Sequence, residues 1–442
     1  MTQLAEKLEE DPYQGYAYGY PHKTAYRPLN PPVPLRQHWE KEDTSSLFFY
    51  LHLPFCEMRC GFCNLFTTTH PSEDLVTSYL DTVERQMRVM SDTLDAPRFA
   101  QAAFGGGTPS FLSILELEKL FGSIEKTFGT FENGIPISFE TSPATVDPEK
   151  LALLRDKGIT RLSIGVQSFV IEETKALGRP QKRDTLDRAL QQISEAHFPV
   201  FNIDLIYGVQ GQSPESWQKS LEEAVRYKPQ ELYLYPLYVR PLTGLGKKER
   251  HPSDLRPTLY HQACQYLLSQ GYEQISMRLF RHKNAPVPRG EGPIHCCQED
   301  GMIGFGAGAR SYTHDLHYSS EYAVGRSGIM EILNHYVQSP DESFQVAEYG
   351  CLLRPDDHKR RYLIKSILRS SGLNYQNYQH EFGNGVHQDF ENEVTQLIDC
   401  GLADNRSDCL RLTSKGFSFS DLIGPWLFSA EVQKKMESYE LV

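Results

Sequence analysis

The sequence predicts an α/β fold: a partial (β/α)6 barrel, preceded by an N-terminal arm and followed by a helical, winged-helix-like domain at the C-terminus. Between about residues 46 and 240, apolar strand-like runs alternate six times with amphipathic helices, a pattern typical of a parallel sheet. Beyond about residue 345, helical patterns are followed by a short two-stranded ribbon. We therefore predict an arm over residues 1–45, a barrel over 46–275, a barrel extension over 276–345 and a C-terminal domain over 346–442.

The arm is rich in Tyr, Pro and His and has neither helical nor strand periodicity. Two interpretations stay open for it. It is a disordered tail, or it is an extended segment that packs on the barrel. We favour packing, because disordered segments are usually poor in aromatic residues.

Six strands are expected in the barrel, and turn or cap residues separate them from the helices. Ser113 with Glu116 forms a capping box, Asp147 precedes Pro148 at a helix start, and Ser213 precedes Pro214 in the same way. The expected strands are Leu47–Leu53, Ala102–Phe104, Ile135–Glu140, Arg161–Gly165, Val200–Tyr207 and Glu231–Tyr238. The carboxyl ends of parallel barrel strands share one edge, which is where such folds keep their sites.

The C-terminal domain is expected to contain three helices and a ribbon. The helices are Asp356–Ser370, Asn374–Phe382 and Val386–Cys400, and the ribbon strands are Leu402–Asp404 and Cys409–Leu412. No basic recognition face accompanies them, so we do not expect nucleic-acid binding.

Composition indicates an ordinary globular protein. The net charge is −12, from 45 basic and 57 acidic residues, and no basic block is present, which disfavours a nucleic-acid partner. No signal-peptide pattern and no apolar run of membrane-spanning length is visible. We expect a monomer in a reducing compartment, the cytoplasm, with no membrane association.

Cys56, Cys60 and Cys63 follow the first strand with spacings that let three thiolates face one inorganic centre. Structural zinc and ordinary electron-transfer iron–sulfur clusters use four protein ligands, so three cysteines would leave one iron of a [4Fe–4S] cluster open for chemistry. Two other interpretations stay open: three free thiols, or a zinc site completed by His52 or His70.

Polar residues recur where the following strands end. Gly105, Gly106, Gly107, Thr108 and Pro109 follow the second strand, and glycines let a backbone approach a ligand closely. The other polar residues at strand ends or in strand-end loops are Glu140, Gln167, Arg179 and Asp204. A carboxylate within an apolar strand, such as Asp204, is costly unless it is paired or holds a ligand. Each of these side chains could instead be a structural partner in a salt bridge.

Six segments together resemble the HemN-like branch of the radical S-adenosylmethionine (SAM) superfamily: YLHLPFCxxRCxFC, FGGGTPS, FETSPATVD, RLSIGVQSF, LGRP and NIDLIYGVQGQ. The resemblance covers about residues 46–325 well and the tail more loosely, and it implies a radical SAM barrel. It also implies that Cys56, Cys60 and Cys63 bind a [4Fe–4S] cluster at a catalytic centre that includes Tyr50. By the same resemblance the residues that bind SAM are Tyr50, Phe62, Gly106, Gly107, Thr108, Glu140, Gln167, Arg179 and Asp204. A second SAM, if used, would lie near Tyr238.

The resemblance implies an enzyme that cleaves SAM to a 5′-deoxyadenosyl radical. Coproporphyrinogen III oxidase-like oxidative decarboxylation is the favoured activity, with a tetrapyrrole as small-molecule substrate and a low-potential donor such as flavodoxin or ferredoxin. Two alternatives stay open: a HemW-like heme chaperone, and a radical methyl or methylene transferase acting on a non-porphyrin substrate.

Two departures from the family patterns bear on this choice. The oxidases carry another Cys where this chain has Leu65, and the heme chaperones carry an HNxxYW-type motif where this chain reads His295-Cys296-Cys297. Adjacent cysteines diverge in a strand, so we expect Cys296 and Cys297 to serve packing or the substrate pocket. Extra cluster ligation by this pair is the alternative.

Overall fold

The structure is a computed structural model and describes residues 3–17, 19–131, 134–286, 301–406 and 408–440. The strands are β1 (Arg27–Pro34), β2 (Leu47–Leu53), β3 (Phe55–Cys56), β4 (Thr68–Thr69), β5 (Phe99–Gly106), β6 (Ile137–Thr141), β7 (Arg161–Gln167), β8 (Val200–Tyr207), β9 (Glu231–Pro236), β10 (Tyr272–Gln274), β11 (Leu279–His282), β12 (Met302–Phe305), β13 (Arg310–Tyr312), β14 (Leu316–Ser319), β15 (Val346–Leu352), β16 (Leu373–Asn374), β17 (Ala403–Arg406) and β18 (Cys409–Leu412).

The α-helices are α1 (Gln3–Lys7), α2 (Arg36–Trp39), α3 (Glu73–Leu94), α4 (Ile114–Phe128), α5 (Pro148–Asp156), α6 (Ile171–Ala176), α7 (Arg183–Ala196), α8 (Pro214–Arg226), α9 (Arg256–Ser269), α10 (Arg326–Gln338), α11 (Pro355–Ile367), α12 (Tyr375–Phe382), α13 (Val386–Asp389), α14 (Glu391–Asp399), α15 (Ser414–Ser418), α16 (Ser420–Trp426) and α17 (Ala430–Glu437). Short 3-10 helices cover Lys23–Ala25, Pro109–Phe111, Gly246–Lys248 and Asp341–Gln345. No helix within the described ranges has both the length and the apolar character needed to cross a bilayer.

Six parallel strands form the centre of the main sheet, in the order β2-β5-β6-β7-β8-β9. Each pairs in parallel with the next, as in the registers Leu51 with Phe104 and Ile203 with Leu232. Helices connect them, which is the arrangement that parallel strands require. The predicted strand–helix series is confirmed, so all six strand ends lie at one edge.

The sheet continues beyond β2 with strands from later and earlier in the chain. β12 pairs in parallel with β2, and β13, β14, β15 and β1 then follow as antiparallel neighbours. β1 belongs to the segment in which the sequence showed no strand periodicity. It contains four prolines and its register shifts between Pro28 and Val33. Both are tolerated because β1 is an edge strand of the sheet.

The caps that the sequence indicated are present. Ser113 and Glu116 form the reciprocal capping box of α4, and the Asp147 side chain accepts from the backbone of Lys150 at the start of α5. Ser213 caps α8, with Pro214 at the first helical position. These local bonds begin each helix directly after its strand-end loop and so hold those loops in place.

The chain divides by compactness into two units. One contains the described residues of Arg27–Leu255 and Asn284–Leu352, and the other contains those up to Tyr26, Arg256–Lys283 and Leu353–Tyr439. The boundaries predicted from the sequence, at residues 45, 275 and 345, do not coincide with these divisions. The predicted boundaries stay a prediction. The N-terminal arm itself is divided at Tyr26.

The unit with the C-terminal helices has its own core. Leu4 and Tyr20 from the N-terminal segment pack in it with helical residues such as Leu363 and Leu397. Its small sheet has three strands, β16-β18-β17, where the sequence predicted two. The single helix expected over Val386–Cys400 is two helices, because the backbone at Phe390 leaves the helical region at φ −137°.

Candidate cluster and cofactor site

The three cysteines of the first strand-end loop form the cluster loop, residues 56–63. β3 pairs with β4 and closes this loop at its base, and the Cys63 N–H donates to the Cys60 carbonyl at 3.1 Å. The pKa of Cys56 is raised to about 12, chiefly by burial, with Cys63, Glu57 and Cys60 contributing to the rise. The three thiols therefore lie close enough to interact electrostatically, and as free thiols they would resist ionisation.

Two residues outside the cluster loop donate to the cysteine sulfurs: Thr108, in the turn after β5, and Arg179, between α6 and α7. The Thr108 hydroxyl donates to Cys56 Sγ at 3.6 Å, and the Arg179 guanidinium donates to Cys60 Sγ at 3.4 Å. Burial raises the pKa of Cys60, and Arg179 offsets part of that rise. Both contacts favour the thiolate form, which is the form that binds metals. Arg179 also donates to the Gly165 carbonyl at 2.9 Å, which fixes its orientation.

The glycine-rich turn after β5 packs directly against the cluster loop. A Cβ on Gly107 would lie 2.6 Å from the Phe55 carbonyl oxygen and 2.9 Å from Cys56 Sγ. The Gly107 N–H donates to Leu53 and the Thr108 N–H to Phe55, at 2.7 and 2.8 Å. Glycine is therefore required at position 107 so that this turn can hold the cysteine loop.

Gln167 occupies a strained position at the end of β7. Its φ is +69°, and the register between β7 and β8 shifts between Gly165 and Gln167. A Cβ on Gly165 would lie 2.7 Å from Gln167 Nε2. A non-glycine residue in the left-handed region is uncommon, and its place at the end of a strand keeps Gln167 a candidate site residue.

Glu140 and Asp204 supply two carboxyl groups from β6 and β8. The pKa of Glu140 is raised to about 7, chiefly by burial among protein atoms and also by the nearby Asp204, while Arg161 and the Gly106 N–H offset part of the rise. Enclosure also raises the pKa of Asp204. The Glu140 side chain is nevertheless exposed by surface area. A carboxyl group that is surrounded by protein atoms but still reaches solvent lines a depression in the protein surface. A ligand-binding carboxylate would have such a position.

A polar network between the strands supports these carboxylates, and sequence reasoning missed it. Arg161 pairs with the buried Glu231 at 2.7 Å and donates to Ser138 at 3.0 Å. Asn202 donates to Asp204 at 2.7 Å and to Ser163 at 2.8 Å. The available signal was the alternation of polar and apolar residues along β7, β8 and β9, since alternate residues share one face of a strand.

The aromatic candidates lie in three different environments. The Tyr50 hydroxyl is 3.3 Å from His52 Nδ1, and Phe62 packs against an apolar cluster that includes Leu177 and Leu245. The Arg240 guanidinium lies 5.0 Å from the Tyr238 ring centroid. Their predicted contacts with SAM stay predictions.

The donor set fits a [4Fe–4S] cluster better than a single zinc ion. His52 is engaged through Nε2 with the Phe66 carbonyl at 2.9 Å and through Nδ1 with Tyr50. Among the described residues, no three His, Cys, Asp or Glu side chains converge on one metal position. Cysteines that ligate separate irons of one cluster need no such convergence. Cys296 and Cys297, the other expected pair, lie outside the described residues.

Two segments of the chain match known protein families. Residues 50–224 match the radical SAM superfamily, and residues 353–419 match the HemN C-terminal domain. Oxygen-independent coproporphyrinogen III oxidase from Synechocystis sp. is 26% identical over 91% of this chain and 90% of its own length. Heme chaperone HemW from Bacillus subtilis is 24% identical over 86% of this chain and 98% of its own length.

A solved structure confirms the fold. Coproporphyrinogen III oxidase (HemN) from Escherichia coli superposes with a TM-score of 0.78 and 23% identity, covering 92% of this chain and 96% of its own. Radical SAM proteins use a [4Fe–4S] cluster and SAM, and the cysteine loop described above lies inside the matched segment. The chain therefore contains a radical SAM domain followed by a HemN C-terminal domain, and along most of its length it is similar to HemN-like radical SAM proteins.

Proposed function

We propose that this protein is a radical SAM enzyme that oxidatively decarboxylates a propionate-bearing tetrapyrrole, in the manner of a coproporphyrinogen III oxidase. The observation that carries the proposal is the pair of hydrogen bonds from Thr108 and Arg179 to Cys56 and Cys60. They join the cysteine loop to the turn after β5 and to the segment between α6 and α7, each of which carries a predicted SAM-binding residue. The oxidase from Synechocystis sp., similar over 91% of this chain, supports the substrate class.

In this proposal the cluster loop holds the cluster through Cys56, Cys60 and Cys63, with Tyr50 beside it. When bound, the cluster and SAM supply a 5′-deoxyadenosyl radical. The thiolates are stabilised by Thr108 and Arg179, and Gly107 permits the close packing on which both contacts depend. These residues position the centre and exclude water from its base.

The strand-end polar groups would orient SAM. Glu140 and Asp204 suit its ammonium and ribose hydroxyls, and Gln167 offers both a donor and an acceptor. Arg179 suits a carboxylate, as a planar fork of donors. The backbone of Gly106 and the rings of Tyr50 and Phe62 complete the proposed contacts. Tyr238 would serve a second SAM, if one is used.

The proposal includes the partners that this chemistry needs. A low-potential flavodoxin or ferredoxin would supply electrons, and a cytoplasmic monomer is the expected state. The substrate propionate would lose a hydrogen atom to the 5′-deoxyadenosyl radical, one electron to an external one-electron acceptor, and carbon dioxide, and would become a vinyl group.

The test is anaerobic turnover of the reconstituted protein with SAM, a reductant and coproporphyrinogen III. We expect 5′-deoxyadenosine and two porphyrinogen products, detected by mass spectrometry. One has lost CO2 and H2 from a single propionate, and the other has lost them from two propionates. SAM cleavage with an unaltered porphyrinogen would reject this substrate class. A product heavier by a methyl or methylene unit would instead support the transferase alternative.

A heme chaperone is the second candidate, because the similarity to HemW spans 98% of that protein. A chaperone would bind heme and deliver it to an apo-acceptor without substrate-dependent SAM cleavage. Heme transfer measured by the acceptor's Soret absorbance decides between the two. We expect none.

A further inference from the structure

Two neighbouring loops hold the cluster loop at Gly61, between the second and third cysteines. The first flanking loop is defined as residues 175–182, from the last two residues of α6 to the start of α7. Its Leu177 carbonyl accepts a hydrogen bond from the Gly61 N–H at 3.0 Å. The second flanking loop, residues 240–251, donates from the Leu245 N–H to the Gly61 carbonyl at 2.7 Å. One hydrogen bond and one peptide unit therefore separate Leu245 from Cys60.

Both contacts are close and firmly built. A Cβ on Gly178 would lie 3.0 Å from Gly61 Cα, and a Cβ on Gly244 would lie 3.1 Å from the same atom. Leu245 is buried in the apolar cluster that also packs Phe62. The Thr243 hydroxyl donates to the Arg240 carbonyl at 2.7 Å and shapes the turn that follows. The flanking loops are thus tightly packed against the cluster loop.

The outer sides of these loops are basic, although the whole chain carries a net charge of −12. Together they contain one acidic residue, Glu249, and seven Lys or Arg residues, of which Arg179 points inward to Cys60. The four lysines are exposed: Lys175, Lys182, Lys247 and Lys248. In the part of the chain that the structure describes, no carboxylate forms an ion pair with any of these four ammonium groups. Positive charge left unneutralised on an acidic protein marks an attractive surface for an anionic partner.

We propose that the flanking loops form the docking surface for an acidic, low-potential electron-transfer protein carrying a flavin or an iron–sulfur cluster. The inference rests on the proposed function, which requires one external electron for each SAM cleaved. The reduced donor would lose that electron at the surface above Gly61 and leave in its one-electron-oxidised state.

An anionic small-molecule substrate is the competing occupant. The four lysines are exposed and lie outside the strands, whereas the predicted SAM-binding side chains Glu140 and Gln167 lie on β6 and β7. The four ammonium groups are separated from one another, and none of them pairs with a carboxylate of the described residues. Such a surface complements an acidic protein better than it complements one small molecule, whose charges are compact.

Direct binding is the first measurement. The dissociation constant of an oxidised, acidic flavodoxin is measured for two cluster-loaded proteins: the native chain and the double variant Lys247→Glu/Lys248→Glu. We expect the dissociation constant to rise about tenfold at low salt and the difference to shrink as salt screens the charges. The pair Lys247→Gln with Lys248→Gln should show a smaller rise. The control pair, Lys219→Glu with Lys434→Glu, makes the same change in net charge on α8 and α17 and should leave binding unchanged.

Turnover with two reductants separates the possible failures. With dithionite, the variant and the native chain should form 5′-deoxyadenosine at equal rates and with equal KM for substrate. With reduced flavodoxin, the variant should require about tenfold more donor for half-maximal rate. Equal donor dependence would overturn the docking surface and leave the proposed function standing. A raised substrate KM with dithionite would assign the lysines to substrate instead. Absence of SAM cleavage by the native chain with either reductant would overturn both proposals.

Discussion

Glu140 shows how a single residue makes the site sensitive to pH. Its pKa is raised to about 7 by enclosure and by Asp204, so the carboxylate is the minor form below that pH. If the carboxylate holds SAM, affinity should fall as pH drops from 8 to 6, by up to about tenfold for each pH unit below the pKa. Glu140→Gln should flatten this profile. A native profile that is flat between pH 6 and 8 would contradict the assignment.

Asp204 separates cofactor binding from cluster binding. It accepts from Asn202 at 2.7 Å and from Ser163 at 3.3 Å, so Asp204→Asn disturbs a formed network without leaving a space. We expect iron content to stay unchanged and SAM binding to weaken by about 1.5–3 kcal/mol, the worth of a charged hydrogen bond. Equilibrium binding of SAM measures this, with the exposed Glu118→Gln as control. Unchanged affinity would make Asp204 a structural residue.

At the scale of elements, the turn after β5 and the cluster loop depend on each other. Gly107→Ala places a Cβ 2.6 Å from the Phe55 carbonyl oxygen and 2.9 Å from Cys56 Sγ, so the loop must shift. We expect the reconstituted variant to lose most of its iron while far-ultraviolet circular dichroism stays native.

Gly122→Ala is the matched control for Gly107→Ala. No atom lies within 4 Å of a Cβ at position 122 in α4, and alanine favours helix there by up to about 1 kcal/mol. It should keep full iron content and slightly raise the unfolding temperature. Full iron in Gly107→Ala would show that the turn does not support the cysteine loop.

Elements with a strong local pattern could be predicted from the sequence, and others could not. β2 and β8 match the predicted bounds because each is a buried apolar run. β1 gave no signal since its prolines hide the strand pattern, and α6 is a six-residue helix too short for periodicity to show. The pairing of Arg161 with Glu231 joins β7 to β9 across 70 positions, a relation that no local pattern reveals.

At the scale of the whole molecule, each compact unit has its own core, and the unit with the C-terminal helices contains a buried ion pair. Arg278 donates two bonds of 2.7 Å to Asp421, and its guanidinium lies 3.8 Å from the Tyr16 ring centroid. Asp421→Asn leaves a buried cation poorly compensated and should cost about 3–5 kcal/mol of unfolding free energy. Chemical denaturation measures this.

The exposed pair of Arg226 with Glu223 is the control for that stability measurement. Arg226→Ala should cost less than about 1 kcal/mol, because exposed ion pairs contribute little. If Asp421→Asn also costs less than about 1 kcal/mol, the buried ion pair contributes no more to stability than a surface ion pair does.

The central claim is that the three-cysteine loop carries the radical SAM chemistry of this protein. The most direct measurement is the yield of 5′-deoxyadenosine from SAM under dithionite, without oxygen, for the native chain, Cys60→Ala and the control Cys264→Ala. Cys264 is a free cysteine on α9, outside the cluster loop. We predict formation by the native chain and by Cys264→Ala, increased by the true substrate, and none by Cys60→Ala. Undiminished formation by Cys60→Ala, or none by the native chain with its cluster loaded, would contradict the account.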